Sequence, residues 1–441
     1  MLAPLLVVLA AAPAAPTLSV PFERFTLPNG LTVILHEDHR LPSVTVNLWF
    51  RVGSADEAKG RSGFAHLFEH LMFMGTKDVP NGMFDQLMEQ HGGQNNATTS
   101  PVRTNYFESG PSNLLETFLF LEADRLAHLP DDMTKEKVDL QRDVVKNERR
   151  QSYENRPYGM TEILLLEKLF PAGHPYQHPT IGSHADLTAA SVDDVKNFFK
   201  RNYVPANASL VIAGDFKPDE AKALVQKHFG PLPRVEAPPR SIPPTATLEK
   251  SVRIAKTDKV QADRVVLAWL APGEFMAGEP ELDLLSVVLG SGKSARLVQS
   301  LVLDQRVASE VEVEFEAFRG QGMFTITATA QDDHKAEELE KALDVELQKL
   351  IKDGVTQAEV DRARSLTTVA ELSRMEQVFN RADLLNHVNC ALGDPALVPW
   401  ASVGRYQWEG PSDLQEIART VLGRPRVTLV FTPEKKKGGA K

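Results

Sequence analysis

Two parts of the chain repeat each other. SVTVNLWFRVG (43–53) aligns with DRVVLAWLAPG (263–273) at a shift of 220, superposing Trp49 on Trp269 and Gly53 on Gly273. Near the ends, DDVKNFFKRNYVPANASLVIAGDF (193–216) aligns with SDLQEIARTVLGRPRVTLVFTPEK (412–435) at a shift of 219. Near-equal shifts at both ends argue for duplication of one folding unit. Between the copies lies PLPRVEAPPRSIPPTATLEK (231–250). Its prolines remove backbone donors and favour an extended course, so it reads as a linker. The expected organisation is a first domain over 21–230, the linker, a second domain over 251–432, and a Lys-rich tail over 433–441.

Within each half, strand patterns mix with helix patterns. FERFTLPNGLTVILHE reads as a hairpin turning at Asn29-Gly30, and SVTVNLWFRV as a strand. Helices are expected over 61–75 and 81–91. TTSPVRTNYFES reads as β-rich, NLLETFLFLEADRL as an amphipathic helix, and 134–152 as a charged helix. Ser191, ahead of Asp193 and Asp194, marks a helix start. The predicted fold class is α+β: two homologous α/β-sandwich domains joined by the Pro-rich linker.

Composition then excludes some partners. The net charge of −10 over 441 residues argues against nucleic acid, whose phosphates need a basic face. MLAPLLVVLAAAPAAP is apolar, too short to span a bilayer, and ends in small residues around Ala12-Pro13-Ala14. Residues 1–15 therefore read as a signal peptide lacking a basic n-region, which implies an exported, periplasmic protein. No other segment reads as membrane-spanning, so no stable span is expected once the signal is removed. The single cysteine, Cys390, allows no internal disulfide and reads as a buried thiol.

One polar cluster interrupts an apolar helix pattern. In GFAHLFEHLMFMGT, His66, Glu69 and His70 fall on one helix face among Phe64, Leu67, Phe68, Leu71, Met72 and Phe73. Three such groups unpaired in a core would be costly, so they need a shared partner, and a divalent metal is one. Two imidazoles at i, i+4 suit zinc, with a Glu placed to act on water. H-x-x-E-H is the signature of inverted zincins. The shift of 220 carries these positions onto Ser286, Leu289 and Gly290, so only the first half can hold metal this way. A catalytic zinc needs a third ligand. The later charged helix offers Glu136, Asp139, Asp143, Glu148 and Glu154, and periodicity does not choose among them.

GRSGFAHLFEHLMFMGT, followed by GGQNNATTSPVRTNYF and later by YGM, HPYQHPTIG and NYVPANASLVIAGDF, closely resembles the pitrilysin/insulinase family of zinc peptidases. The resemblance runs from about residue 22 to 432 and is strongest in the first half. It implies paired α+β units, a Zn2+ cofactor and metalloendopeptidase activity on peptides or unfolded small proteins. It selects Glu148, in RDVVKNE, as the third metal ligand beside His66 and His70, and makes Glu69 the base that takes a proton from water. It also implies that QNNATTS is an edge strand binding substrate by strand addition, with Asn96 and Ala97 as its contact positions.

Two positions depart from the family pattern. A second Glu, seven residues before the third ligand, is Gln141 here and can hydrogen-bond but not ionise. The Arg and Tyr that family members use to bind substrate and stabilise the oxyanion align with Val302 and Ser309; Arg306 is nearby, with no Tyr after it. The resemblance is thus to the catalytic, beta-type chain of processing-peptidase-like heterodimers, with a homologous non-catalytic partner subunit supplying Arg and Tyr. A structural or assembly subunit without activity is the alternative. A narrow presequence-processing enzyme is a third reading, disfavoured by the export signal.

Overall fold

The computed structural model describes residues 18–434, so the signal-peptide segment and residues 435–441 of the tail lie outside the described residues. The first half contributes strands β1 (Glu23–Thr26), β2 (Thr32–Glu37), β3 (Ser43–Phe50), β4 (Gln94–Thr99), β5 (Thr104–Pro111) and β6 (Ala208–Gly214). Its helices are α1 (Phe64–Leu71), α2 (Met83–His91), α3 (Leu115–Asp132), α4 (Lys135–Arg149), α5 (Thr161–Leu169), α6 (His184–Ala189), α7 (Val192–Asn202) and α8 (Pro218–Phe229). The second half contributes β7 (Val252–Asp258), β8 (Arg264–Pro272), β9 (Ala308–Ala317), β10 (Gln321–Ala330) and β11 (Val427–Pro433). Its helices are α9 (Glu279–Gly290), α10 (Ala336–Asp353), α11 (Gln357–Arg374), α12 (Val378–Leu392), α13 (Val398–Ser402) and α14 (Pro411–Leu422).

The strands form two sheets, ordered β1-β2-β6-β3-β5-β4 and β7-β11-β8-β10-β9. Apart from the added β1, the two orders match strand for strand. In both, the last strand of the half enters parallel to the first common strand and antiparallel to the next, β6 between β2 and β3, β11 between β7 and β8. The duplication is therefore a duplication of topology. Between the sheets, residues 233–248 take neither helix nor strand. The hairpin at Asn29-Gly30 forms as expected, with Thr26 paired to Thr32. Gly30 sits at φ 96°, where a Cβ would lie 2.8 Å from the Cβ of Ala206.

The superposition of Trp49 on Trp269 is corrected by the sheets. Leu48 packs in the first half's own core, whereas the Trp49 indole on the opposite face donates to Asp383 of α12 at 3.2 Å. Trp269 instead packs in its own half's core. Side chains alternate along a strand, so a one-residue slip exchanges faces and the true offset of these strands is odd, not 220. The shift of 219 for β6 and β11 errs likewise: Leu210 faces its own core, while Leu429 packs with α5.

Why each central strand is buried on both faces is explained by an exchange between the halves. β3, β6 and β8 are buried almost throughout. One face of each sheet carries that half's own helices, and the other is covered by a helix from the other half. Leu165, Leu166 and Leu169 of α5 pack on Val266, Ala268 and Leu429 of the second sheet. Ala382, Leu385 and Val388 of α12 pack on Ile34, Val211 and Ala213 of the first. Asn386 and Asn389 then donate to the Asn47 carbonyl at 2.8 Å and the Ser209 hydroxyl at 2.9 Å, which pairs polar groups buried with the apolar face.

Candidate metal centre and active site

The HLFEH segment forms α1, shorter than the expected 61–75. It begins after Gly63, whose φ of 91° is left-handed and whose side chain can supply no cap. The Glu57 carboxylate caps the helix instead. Its two oxygens accept from the Gly63 amide at 2.9 Å and the Ala65 amide at 2.7 Å, and its side chain is fully buried. Burial pushes the Glu57 pKa up and the two amides oppose that. Leu67, Phe68 and Leu71 anchor α1 in the core, and Phe68 lies against Phe198, Phe199 and Tyr203.

With its apolar face held, α1 turns His66, Glu69 and His70 toward α4. That helix starts at a Thr134 cap and runs into a π-helical turn over Arg150–Glu154. Glu148 in its last turn meets both imidazoles, with Oε1 3.7 Å from His66 Nε2 and Oε2 3.3 Å from His70 Nε2. The ring centroids of the two histidines lie 4.8 Å apart. One ligand atom from each of the three residues lies within 4.8 Å of the others.

The other acids of this stretch go elsewhere. Asp139 pairs with Lys135 and Arg142, Glu154 with Arg149 and His184, and Glu136 and Asp143 are exposed. Among the described residues, Glu148 alone of the five reaches the histidines.

The donor set fits a divalent metal. Two Nε2 atoms and a carboxylate converge from two rigid helices, a zinc-type combination. Desolvation holds the His66 pKa down at about 4, so the ring is neutral at pH 7, the form that ligates. Its Nδ1 is buried and finds no hydrogen-bond partner among the described residues, which leaves Nε2 as the working nitrogen. The Glu148 pKa is lowered, first by its hydrogen bond with His70.

Comparison with known proteins follows the same lines. Residues 32–178 match the model of the insulinase family, peptidase family M16, and residues 189–367 match the model described as the peptidase M16 inactive domain. The zinc protease PqqE of Helicobacter pylori is 32% identical over 386 residues, 86% of each chain. The chain belongs to peptidase family M16. The crystal structure of a protease from Helicobacter pylori superposes with a TM-score of 0.87 at 28% identity, covering 94% of this chain and 99% of that one. The periplasmic protease PqqL of Escherichia coli shares the fold at 19% identity, with a TM-score of 0.76 over 96% of this chain and 48% of that one.

The M16 chain places its remaining candidate residues unevenly. Glu69 lies beside the ligands, and burial raises its pKa. Its Oε2 accepts from the Thr99 hydroxyl at 2.5 Å, so the last residue of β4 touches the expected base. Among the described residues β4 is an edge strand, paired only with β5. Asn96 is exposed on it and Ala97 buried, and the Asn96 side-chain oxygen takes the Ala97 amide at 2.8 Å. Gln141 is not brought to the imidazoles: its amide donates to Met74 Sδ at 2.8 Å. Val302 packs partly buried at the edge of the second core, and the Ser309 hydroxyl bonds backbone carbonyls of β10 at 3.3 Å. Cys390, expected to be buried, is half-buried. Ser286, Leu289 and Gly290 lie on α9, where Leu289 is buried core. Among the described residues, no helix is long and apolar enough to cross a membrane.

The sequence reading missed Glu57 and Thr99. The signal for Glu57 was negative: Arg61-Ser62-Gly63 gives α1 no cap that accepts the Ala65 amide, so a distant acid had to supply one. Thr99 carried no signal, because its role arises only when β4 passes α1.

Proposed function

We propose that this chain is a zinc-dependent endopeptidase that hydrolyses peptide bonds in extended peptides or unfolded small proteins. The supporting observation is the convergence of His66, His70 and Glu148 with Glu69 beside them. His66, His70 and Glu148 would hold the ion, which would supply Lewis acidity to the scissile carbonyl and the attacking water.

Glu69 is the general base. Its Oε2 is occupied by the Thr99 hydroxyl, which fixes the carboxylate and leaves Oε1 to take the proton. A pKa raised by burial suits a group that must accept a proton from water and release it again. As the water oxygen bonds to the carbonyl carbon and the C–N bond breaks, Glu69 returns that proton to the leaving amine. The open edge of β4 pairs with an extended substrate through backbone hydrogen bonds, with Asn96 and Ala97 at the contact. Substrate must displace the Asn96 side chain from the Ala97 amide.

With Val302 and Ser309 at the positions of the family's Arg and Tyr, this chain supplies no oxyanion donor there. A homologous partner chain supplies both. PqqL, twice as long as the region matched here, is consistent with such units working in pairs. Export to the periplasm is supported by the apolar N-terminal sequence.

The test is Glu69→Gln. The variant should bind zinc as the parent does and lose hydrolysis of an unstructured peptide in the presence of the partner chain. Cleavage at the parental rate would remove Glu69 from the mechanism. A chain whose parent form never cleaves, with any partner, is the non-enzymatic assembly subunit.

A further inference from the structure

The seam where the linker crosses both halves gathers three arginines. Arg51 follows β3, two residues beyond Trp49. Arg240 lies in the segment that joins the halves, and Arg319 in the turn between β9 and β10. The three sense one another. Burial holds the Arg240 pKa down, the charge of Arg319 adds to that, Asp56 opposes it, and Arg51 adds a smaller push downward.

What marks the cluster is its guanidinium nitrogens without partners. Arg51 Nε, Arg240 Nε, Arg319 Nε and Arg319 Nη1 are all buried and find no hydrogen-bond partner among the described residues. Among those residues one acid meets the group: Asp56 Oδ1 lies 3.4 Å from Arg319 Nη2, and Asp56 Oδ2 takes the Gly53 amide at 3.0 Å. Arg240 Nη2 goes to a neutral acceptor, the Val102 carbonyl, at 2.7 Å. Three positive charges thus stand against one negative charge, in a chain whose net charge is −10. Buried N–H groups without acceptors are costly, and like charges held together add to the cost. Water satisfies N–H groups but does not balance charge; an anion does both.

The segments that carry these donors are fixed. The Arg51 amide donates to the Asn207 carbonyl at 3.1 Å. The Arg319 carbonyl accepts from the Tyr176 hydroxyl at 2.8 Å, and the Arg319 side chain is only 22% exposed. The linker is docked beside them. Ala246 exchanges two hydrogen bonds of 2.8 Å with the Gln321 side chain, and the Pro244 carbonyl meets His174 Nε2 at 2.7 Å. An anion here would tie the end of β3, the linker and the β9–β10 turn together, and with them both halves.

We propose that Arg51, Arg240 and Arg319 form a binding site for a phosphate-class oxyanion at the seam between the two halves. Guanidinium forks match the oxygens of a tetrahedral oxyanion, and several forks favour phosphate or sulfate over chloride, which offers a single centre. The site uses none of the metal-centre residues. Its occupant stabilises the packing of the halves and takes no part in hydrolysis.

The test is thermal unfolding and calorimetric titration of the full-length chain with inorganic phosphate, against sodium chloride at equal ionic strength. Phosphate should raise Tm above the chloride control, as a ligand of the folded state does, and should titrate at one equivalent. Arg51→Gln and Arg319→Gln should each weaken phosphate binding about tenfold or more, the loss of one charge-assisted hydrogen bond. Without phosphate, Arg51→Gln should unfold no earlier than the parent, because it removes one unbalanced charge. Arg424, exposed beside Arg253 and Arg426 in the second half, is the control, and Arg424→Gln should leave the phosphate response unchanged. Equal Tm in phosphate and chloride with no heat of binding would overturn the proposal. So would an undiminished response in both Arg51→Gln and Arg319→Gln, or its loss in Arg424→Gln. A clear fall in the Tm of Arg51→Gln without phosphate would make Arg51 a packing residue and count against the site.

Discussion

Glu57→Ala is a demanding test of how α1 is held. The helix is eight residues long, too short to be stable by propensity alone. Its apolar face is fixed by packing, but its first turn depends on the Glu57 carboxylate, which takes the Gly63 and Ala65 amides at 2.9 and 2.7 Å in a fully buried site. Truncation leaves both N–H groups buried without a partner, at about 1–3 kcal/mol each, or roughly 2–6 kcal/mol in total. Glu57→Gln keeps one carbonyl acceptor and should cost about half as much. Urea unfolding of the metal-free chain reads the stability change directly. Zinc titration of the folded variants then reads whether the loosened turn moves His66, which adjoins Ala65: Glu57→Ala should bind zinc at least tenfold more weakly, and Glu57→Gln less so. If Glu57→Ala unfolds within about 0.5 kcal/mol of the parent, the range of an ordinary surface change, the capping argument fails.

Three further outcomes follow from the same structure. Leu385→Ala, at a fully buried position in the layer between α12 and the first sheet, should cost about 2–5 kcal/mol in chemical denaturation, and a loss below 1 would mean that α12 is not tightly packed there. Burial pushes the Glu359 carboxyl up, but hydrogen bonds from Arg296 and Thr356 outweigh it and hold the pKa at about 2. Because this folded value lies below the unfolded one, the stabilisation is present above about pH 4.5 and lost as pH falls toward 2, on the order of 2–3 kcal/mol, so Glu359→Gln should flatten the acid limb of a stability-versus-pH curve. The chain alone should hydrolyse peptides poorly and gain about a hundredfold or more from a homologous partner carrying Arg and Tyr, the effect of one oxyanion donor or more; full turnover by the isolated chain would contradict this.

The sequence revealed the duplication, the helix face bearing His66, Glu69 and His70, and the hairpin at Asn29-Gly30, because each is a local or periodic signal. The Ser191 helix start also formed, with Ser191 and Asp194 capping each other. Strand register was not legible. A tryptophan match outweighed the alternation of faces, although Trp49 and Trp269 face opposite ways. The exchange of α5 and α12 between sheets was hidden for a related reason. Strands buried on both faces demand a second cover, but nothing local says which helix supplies it. Choosing Glu148 among five acids needed the family pattern, since only the crossing of α1 and α4 separates it from Asp139 or Glu154. Gln141 shows the converse: the family pattern placed it at the site, and its side chain turned to Met74.

The central claim is that His66, His70 and Glu148 share one ion. A crystal structure of the zinc-loaded chain, with anomalous data at the zinc edge, tests it most directly. The account predicts a peak bonded to both Nε2 atoms at about 2.0–2.1 Å and to a Glu148 oxygen at about 2.0–2.2 Å. A zinc-saturated crystal with no peak between those residues, or with Glu148 turned away from it, would contradict the account.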